Sequence, residues 1–187
     1  MPIIALIVLS LLLLILCAMT AFMICLLWAS FFTKVPFVPI RKAILKDVAE
    51  ALKLEEGSKL YDLGCGDARV LIACYQSQPA AQYVGIEKDL IPWTWARLRL
   101  IRLKKPHGIK VLRKNFFKQD ISDATHVFTY LLPEMMDRLL PKFRQELKPG
   151  TKLVACDFPF KEKEPVEVIT FDWPEKKLGR RLLIYEF

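Results

Sequence analysis

The hydropathy pattern divides the chain into an apolar amino-terminal segment and a mixed remainder. The first charged side chain is Lys34, and before it the hydroxyl side chains are Ser10, Thr20 and Ser30. A helix needs about 20 apolar residues to cross a hydrocarbon core of roughly 30 Å. The pattern therefore predicts a transmembrane anchor over residues 1–33, with residues 3–32 in contact with membrane lipid.

A cleaved secretory signal is the main alternative for this segment. Such a signal has an apolar core of about 7–15 residues behind a basic start. Here the apolar run is longer and no Lys or Arg precedes it. Basic residues follow the span at Lys34, Arg41, Lys42 and Lys46, which favours retention of the following domain in the cytoplasm. We therefore expect a single-pass membrane protein with its carboxy-terminal domain on the cytoplasmic side.

The remainder alternates short apolar runs with longer helical patterns. Residues 34–40 contain two prolines and predict a short linker, because proline disfavours helix at itself and at the preceding residue. Residues 41–187 suffice for one domain. Helices are predicted at Arg41–Leu54, Ala68–Gln76, Leu90–Leu103 and Pro133–Glu146. Strands are predicted at Lys59–Leu63, Tyr83–Glu87, Ile109–Leu112, His126–Leu131, Lys152–Phe158, Glu167–Phe171 and Arg181–Phe187.

This alternation is typical of βαβ units and predicts an α/β fold with a largely parallel sheet. Pro174–Gly179 is too short to contain a crossover helix. The last two strands should therefore run antiparallel to each other.

The most informative motif is Leu60-Tyr-Asp-Leu-Gly-Cys-Gly-Asp-Ala-Arg-Val70, in which a strand enters a small-residue turn that opens a helix. A dinucleotide fingerprint needs G-x-G-x-x-G, but Arg69 occupies its third glycine position, and no P-loop pattern is present. Asp62, just before the turn, would repel a pyrophosphate. It would attract a positively charged ligand such as S-adenosylmethionine, which carries an ammonium and a sulfonium.

Two further positions complete the predicted cofactor site. Glu87 ends the second strand, and its carboxylate can accept two hydrogen bonds from ribose hydroxyls. Asn115 and Phe116 follow the third strand and offer an amide and an aromatic face to an adenine ring. The predicted cofactor-binding residues are Asp62, Gly64, Gly66, Glu87, Asn115 and Phe116.

These residues resemble the first motif, D-x-G-x-G-x-G, and the acidic second-strand end of the class I S-adenosylmethionine-dependent methyltransferases. The resemblance implies a Rossmann-like seven-stranded sheet whose last strand is antiparallel, over residues 41–187. Ala68 stands where the third glycine usually lies, and we expect this methyl group to weaken cofactor binding at most.

A narrower resemblance rests on Pro36-Phe-Val-Pro39, on Tyr61-Asp-Leu-Gly-Cys-Gly66 and on Tyr130-Leu-Leu-Pro-Glu134. Together they are similar to the small membrane-anchored protein-lysine methyltransferases that modify the ATP synthase c-subunit and the adenine nucleotide translocase, and to bacterial relatives of these enzymes. This resemblance implies transfer of a methyl group to a lysine of a membrane-associated protein.

Tyr130 and Glu134 are the candidate catalytic residues, because class I enzymes place substrate-facing groups after the fourth strand. They could orient an acceptor amine or take its proton, although a helix cap with Glu134 near a helix amino terminus explains the same residues equally well. Asp157-Phe-Pro-Phe160 could form an aromatic rim or belong to the core. The five cysteines contain no C-x-x-C pair, so no metal site is predicted.

The basic stretch from Arg97 to Lys114 fits an anionic lipid surface or a solvated face better than RNA, and we expect no nucleic-acid partner. The net charge of +8 is consistent with each of these readings. Three other functions stay open at this point: methylation of a lipid or quinone, non-catalytic binding of S-adenosylmethionine, and methylation of RNA.

Overall fold

The computed structural model describes residues 2–32, 38–104, 106–172 and 178–187. The chain divides into two compact units, Met1–Phe37 and Val38–Phe187. Within the predicted linker, residues 34–37 lie outside the described residues, as do residues 174–177 of the predicted connection between the last two strands.

The first unit contains the helix α1, Pro2–Phe32. Its stretch Ile3–Leu26 is long and apolar enough to cross a membrane, judged by length and composition. The Ser10 hydroxyl donates a hydrogen bond to the Leu6 carbonyl at 2.9 Å, and the Thr20 hydroxyl donates to the Leu16 carbonyl at 3.0 Å. Both hydroxyl donors are thus satisfied within the helix, as an apolar environment requires.

The second unit is built on one seven-stranded sheet with the strand order β3-β2-β1-β4-β5-β7-β6. Strand β7 pairs antiparallel with both β5 and β6, and the other neighbours pair in parallel. The predicted fold class is confirmed, including the antiparallel last strand. The strands are β1 Lys59–Leu63, β2 Gln82–Glu87, β3 Ile109–Arg113, β4 His126–Thr129, β5 Lys152–Cys156, β6 Glu167–Thr170 and β7 Arg181–Glu186.

Helices cover both faces of this sheet. On one face, residues of α2 (Leu45–Leu52), α3 (Arg69–Ser77) and α4 (Leu90–Arg102) share a buried cluster with the strands. On the other face, α5 (Pro133–Glu146) contributes Met136, Leu139, Leu140 and Phe143 to a second cluster. The parallel strands all end at one edge of the sheet, which is where ligands bind in folds of this kind.

Three elements depart from their predicted bounds by more than one residue, and two of them, β4 and β5, end at this edge. The predicted helix 41–54 begins as a 3₁₀ turn, Lys42–Ile44, and α2 ends at Leu52 because Lys53 adopts a left-handed conformation. Strand β4 ends at Thr129 rather than Leu131, and β5 ends at Cys156 rather than Phe158. An apolar run does not distinguish a strand from the loop that packs over its end, and these loops carry candidate site residues.

Candidate active site

The turn after β1 lies between the end of β2 and the loop after β4. The backbone N–H groups of Gly64 and Cys65 donate to the Ile86 carbonyl at 2.8 and 3.2 Å. Gly64 has φ +80°, and a Cβ built on it would lie 2.9 Å from the Leu131 side chain. Gly66 also has a positive φ of 54°. Glycine is therefore needed at Gly64 both for its conformation and for close packing.

Asp62 is the penultimate residue of β1 and a buried acid with 3% of its surface exposed. Burial raises its pKa well above the usual range, and the nearby carboxylates of Glu87 and Asp67 raise it further. Within the described part of the chain, no hydrogen bond or ion pair meets the Asp62 carboxylate. A buried carboxylate without a partner is costly, and a cationic group would relieve that cost.

Glu87 holds the glycine turn against the end of β2. Its two carboxylate oxygens accept hydrogen bonds from the Gly66 N–H at 3.0 Å and from the Asp89 N–H at 2.9 Å. Burial raises the pKa of Glu87 despite these two backbone donors, which act in the opposite direction. The carboxylate is thus fixed in position beside the turn that carries Gly66.

The segment after β3 reaches the same edge of the sheet. The Lys114 N–H donates to the Glu87 carbonyl at 3.1 Å, which places Asn115 next to the end of β2. The Asn115 side-chain oxygen accepts a hydrogen bond from the Phe117 N–H at 3.0 Å and caps the short 3₁₀ helix Phe116–Lys118. Phe116 is half-buried, with its ring centroid 4.8 Å from that of Phe117. The Asn115 oxygen therefore serves the local turn, which leaves its amide N–H₂ as the group available to a ligand.

The structure contains a cluster of charged side chains behind the turn, which the sequence did not predict. Asp67 is buried and accepts hydrogen bonds from the Arg69 guanidinium, at 2.9 Å from Nε and 2.6 Å from Nη2. It also forms an ion pair with Arg99 on α4, at 2.9 Å. Burial raises the Asp67 pKa, but the two arginines outweigh it and the net shift is downward. Arg69 also donates to the Ile40 carbonyl at 2.7 Å, so the cluster attaches the start of the second unit to the turn. The position of Asp67 directly after the second glycine was the available signal.

Close packing requires a glycine at Gly85 on β2, which the sequence did not predict. A Cβ built on Gly85 would lie 2.7 Å from Cys65 Sγ and 2.7 Å from Leu71 Cδ1. Cys65 is buried in this contact, and burial raises the pKa of its thiol well above the usual range. Cys65 is thus a packing residue.

Ala68 adopts the left-handed conformation that favours glycine, with φ 62°, and opens α3. Its surface is wholly buried within the cluster shared by α2, α3 and α4. A residue without exposed surface cannot extend a methyl group into an open ligand site. The substitution of the third glycine therefore affects the backbone conformation of the turn rather than the space for a cofactor.

The loops after β4 and β5 form the other side of the edge. Tyr130 is half-buried and its ring stacks on that of Phe158, with an interplanar angle of 17° and centroids 6.3 Å apart. Burial raises the pKa of Tyr130, and Cys156 and Asp157 add to this shift. Phe160, by contrast, lies in the core against Phe143 and Tyr185. The predicted aromatic rim thus consists of Phe158 with Tyr130.

Glu134 lies in the first turn of α5 and is exposed. Among the described residues no hydrogen bond joins it to Tyr130. Its position agrees with the helix-cap reading, in which an acid near a helix amino terminus is favoured by the helix dipole.

The arrangement suits S-adenosylmethionine by the chemistry of its side chains. A buried, unpartnered acid at Asp62 complements a cation, and the fixed carboxylate of Glu87 can accept from a diol. In the described residues no group of three His, Cys, Asp or Glu side chains could hold a metal ion.

Comparison with known proteins identifies the family. The sequence model of one protein family, the ANTKMT methyltransferase domain, matches residues 62–167. A protein-lysine N-methyltransferase of Saccharolobus islandicus (strain REY15A) is 35% identical over 144 residues, covering 75% of this chain and 87% of that protein. The lysine N-methyltransferase of the ATP synthase c-subunit from Caenorhabditis elegans is 31% identical over 136 residues, covering 70% of each chain.

A solved structure is similar over most of the chain. The RNA methyltransferase of Salinibacter ruber, in complex with S-adenosyl-L-homocysteine, is 30% identical with a TM-score of 0.73, covering 80% of this chain and 93% of that one. Sequence, sheet topology and the chemistry of the β1 turn thus agree on an S-adenosylmethionine-dependent enzyme of the class I fold. The chain belongs to the family of the ANTKMT methyltransferase domain.

Proposed function

We propose that this protein is a membrane-anchored methyltransferase that transfers the methyl group of S-adenosylmethionine to a lysine side chain of a membrane-associated protein. The observation that carries the acceptor assignment is the stacked pair of Tyr130 and Phe158 at the sheet edge that carries Asp62 and Gly64. The relatives from Saccharolobus islandicus and Caenorhabditis elegans, both lysine N-methyltransferases, point to the same acceptor class.

The cofactor residues are assigned by their surroundings. Asp62 would pair with the cationic methionine portion, and Glu87 would accept from the ribose hydroxyls. Asn115 and Phe116 would contact the adenine, while Gly64 and Gly66 let the backbone approach the ligand. S-adenosylmethionine supplies an electrophilic methyl group on a sulfonium.

The acceptor residues would act by position. A lysine presents an aliphatic stem that suits an apolar wall, and its ammonium form is attracted to an aromatic face. Tyr130 and Phe158 offer both surfaces. The raised pKa keeps the Tyr130 hydroxyl protonated at neutral pH, so Tyr130 does not take the proton of the amine and orients the lysine through its ring. Glu134 is exposed, and it would attract the approaching ammonium from solvent. The ammonium would release its proton to water before the neutral amine attacks the methyl group, and S-adenosylhomocysteine would leave as the S–CH3 bond breaks.

The proposed anchor is α1, with residues 1–33 in a single pass, residues 34–40 as the linker and residues 41–187 as the catalytic domain on the cytoplasmic side. The apolar stretch Ile3–Leu26 and the basic residues after Lys34 support this arrangement. Confinement to one membrane would raise the effective concentration of a membrane-bound acceptor without any added contact.

Methyl transfer by the full chain in lipid nanodiscs tests the proposal. Labelled S-adenosylmethionine is supplied with solubilised membrane fractions, and the product is hydrolysed and analysed for Nε-methyllysine. We expect protease-sensitive label in methyllysine, and retention of the chain in the membrane after alkaline extraction.

The rival acceptors give different products in the same assay. Nuclease-sensitive label would favour RNA, the acceptor class named for the Salinibacter relative. Label in solvent-extractable material would favour a lipid or quinone. Cofactor binding without label in any fraction would favour a binding protein. Each of these three outcomes contradicts the lysine proposal.

A further inference from the structure

Helix α4 has two apolar faces, of which one is buried. Pro92, Ala96 and Leu100 recur at intervals of four residues and are buried against the sheet. On the opposite side, Leu90, Leu98 and Ile101 and their neighbour Ile91 each expose about half of their surface, from 50% to 53%. Exposed apolar residues scattered singly are ordinary, but a contiguous apolar face marks an interaction site.

The positive charge of the protein is concentrated around this helix. Residues 88–114 contain nine Lys and Arg residues and one acidic residue, Asp89. This segment therefore carries +8, which equals the net charge of the whole chain. The remaining 160 residues contain 19 basic and 19 acidic residues and are neutral overall.

Most of these basic side chains are exposed. Arg99 is an exception, because it is half-buried and pairs with Asp67. The exposed ones lie on or next to α4 and the neighbouring edge strand β3, and they are Lys88, Arg97, Arg102, Lys104, Lys110, Arg113 and Lys114. The exposed apolar face of α4 is thus bordered by cations, a pattern typical of helices that lie in a membrane interface.

We propose that this face of α4, formed by Leu90, Ile91, Leu98 and Ile101 with its basic border, docks on the surface of an anionic lipid bilayer. The apolar side chains would enter the boundary between headgroups and acyl chains. The Arg and Lys heads would remain among the phosphates. The inference rests on the proposed anchoring only in that the anchor keeps the domain close to a bilayer.

Two other partners fit this surface less well. In a symmetric pair of chains the same patch would meet itself, and the basic borders of two copies would repel each other. RNA is bound through aromatic rings that stack on bases. Trp95, 51% exposed, adjoins this face, but Leu90, Ile91, Leu98 and Ile101 are branched aliphatic side chains, which do not stack. Tryptophan is itself enriched at membrane interfaces.

Docking would orient the cofactor edge of the sheet. Helix α4 begins three residues after Glu87, and the Asp89 N–H at its amino end donates to Glu87 at 2.9 Å. A bilayer contact at α4 would therefore fix the direction in which the edge with Asp62 faces the membrane.

Spin labels in the full chain in nanodiscs test the docking. One chain carries a label at Leu98→Cys and a matched control carries it at Gln145→Cys, an exposed site on α5 across the sheet. Both contain Cys17→Ser and Cys25→Ser. The buried Cys65, Cys74 and Cys156 are retained, because they are inaccessible to the reagent.

In nanodiscs rich in phosphatidylglycerol, we expect the Leu98 label to collide with oxygen and to be shielded from an aqueous nickel relaxant. We expect the Gln145 label to be fully accessible to nickel. Equal nickel access at the two sites would overturn the docking. Spin–spin broadening between Leu98 labels would overturn it in favour of a contact between two copies.

Two substitutions that remove positive charge test the basic border. Arg97→Gln with Arg102→Gln should lower the ratio of docked to undocked Leu98 label about 30-fold, at roughly tenfold per 1.4 kcal/mol and about 1 kcal/mol per basic residue. The control pair Arg144→Gln with Lys148→Gln, on and just after α5, should leave the ratio unchanged. Equal effects of the two pairs would overturn the proposal.

A third variant tests the anchor independently of the docking. It carries Cys25→Ser and retains Cys17, which places its spin label within α1. A label at Cys17 that reports lipid, together with a Leu98 label that reports water, overturns the docking alone. A label at Cys17 that reports water overturns the proposed anchor.

Discussion

Asp62 in β1 and Asp67 in the turn that follows are both buried acids, yet their environments shift their pKa values in opposite directions. Asp62 has no described partner and a raised pKa, whereas Asp67 is held by Arg69 and Arg99 and has a lowered pKa. Asp→Asn substitutions at the two sites keep the side-chain shape. We expect them to change the stability of the domain with opposite signs.

The expected magnitudes follow from what each substitution removes. Asp62→Asn removes an unpaired buried charge but leaves an amide without partners, so we expect a gain on the order of 1–2 kcal/mol at pH 8. Asp67→Asn leaves two arginines without their carboxylate. Because their side chains are 17% and 39% exposed, we expect a loss of about 1–3 kcal/mol rather than the full cost of breaking a buried pair.

The pH dependence has a defined sign for each site. A raised folded-state pKa means that Asp62 costs nothing below the ordinary value near 3.8. Its cost grows as the pH rises from there toward the raised pKa, so the advantage of Asp62→Asn should disappear near pH 4. Asp67 has a lowered pKa. Its contribution is present above the ordinary value near 3.8 and is lost as the pH falls through the folded-state value.

Cofactor binding should respond to Asp62 in the opposite way to stability. Loss of a charge-assisted bond to a cation costs about 1.5–3 kcal/mol, so Asp62→Asn should bind S-adenosylmethionine about 10- to 150-fold more weakly. The wild-type affinity should rise with pH until Asp62 has lost its proton, and the variant should lack this rise.

The assay is urea unfolding of the full chain in mild detergent between pH 4 and pH 8, followed by calorimetric titration with S-adenosylmethionine. The reasoning is refuted if Asp62→Asn destabilises the domain as much as Asp67→Asn does, since Asp62 would then have a stabilising partner. An unchanged affinity in Asp62→Asn would remove its role in binding the cofactor.

Three further predictions concern the same edge of the sheet. Tyr130→Phe should keep kcat/KM for the acceptor within about threefold, while Tyr130→Ala should lower it about 10- to 100-fold, because the ring provides the apolar surface for the lysine stem. Equal losses of kcat/KM in the two variants would instead show that the hydroxyl positions the acceptor. Gly85→Ala should lower the free energy of unfolding by about 1–3 kcal/mol through overlap with Cys65 and Leu71, and an unchanged urea midpoint would contradict the packing. Ala68→Gly should change the free energy of unfolding by less than about 1 kcal/mol, because relief of left-handed strain is offset by the lost buried methyl group and by a more flexible unfolded chain. A change of more than about threefold in the cofactor affinity measured by calorimetry would show that the methyl group reaches the ligand.

The fold could be predicted because local and global signals agree. A sheet that is covered on both faces needs nearly continuous apolar strands, and β1 and α5 were predicted with the bounds that the structure has. The ends of β4 and β5 could not be read in the same way. Tyr130 and Phe158 are as apolar as the strands before them, yet they leave the sheet and stack on each other.

The ion cluster illustrates a second limit of sequence reasoning. Asp67 and Arg69 are two positions apart, so their proximity was readable, but Arg99 lies on another helix. Its approach to Asp67 depends on how α4 rotates to bury Ala96 and Leu100. The hydropathy pattern of α4 does not determine this rotation, because apolar residues occur on both of its faces.

The proposed docking of α4 would connect the proposed anchor with the active site. A soluble enzyme of this fold would gain nothing from Leu98 and Ile101 in water, since exposed apolar surface favours association. Retention of that surface is favourable where a bilayer is always near and can cover it. The same helix is joined to Glu87 through Asp89, so the force that covers the apolar face would also act on the position of the proposed ribose contact. If this coupling operates, lipid composition should change the KM for S-adenosylmethionine in the full chain, and the Arg97→Gln, Arg102→Gln pair should abolish that dependence.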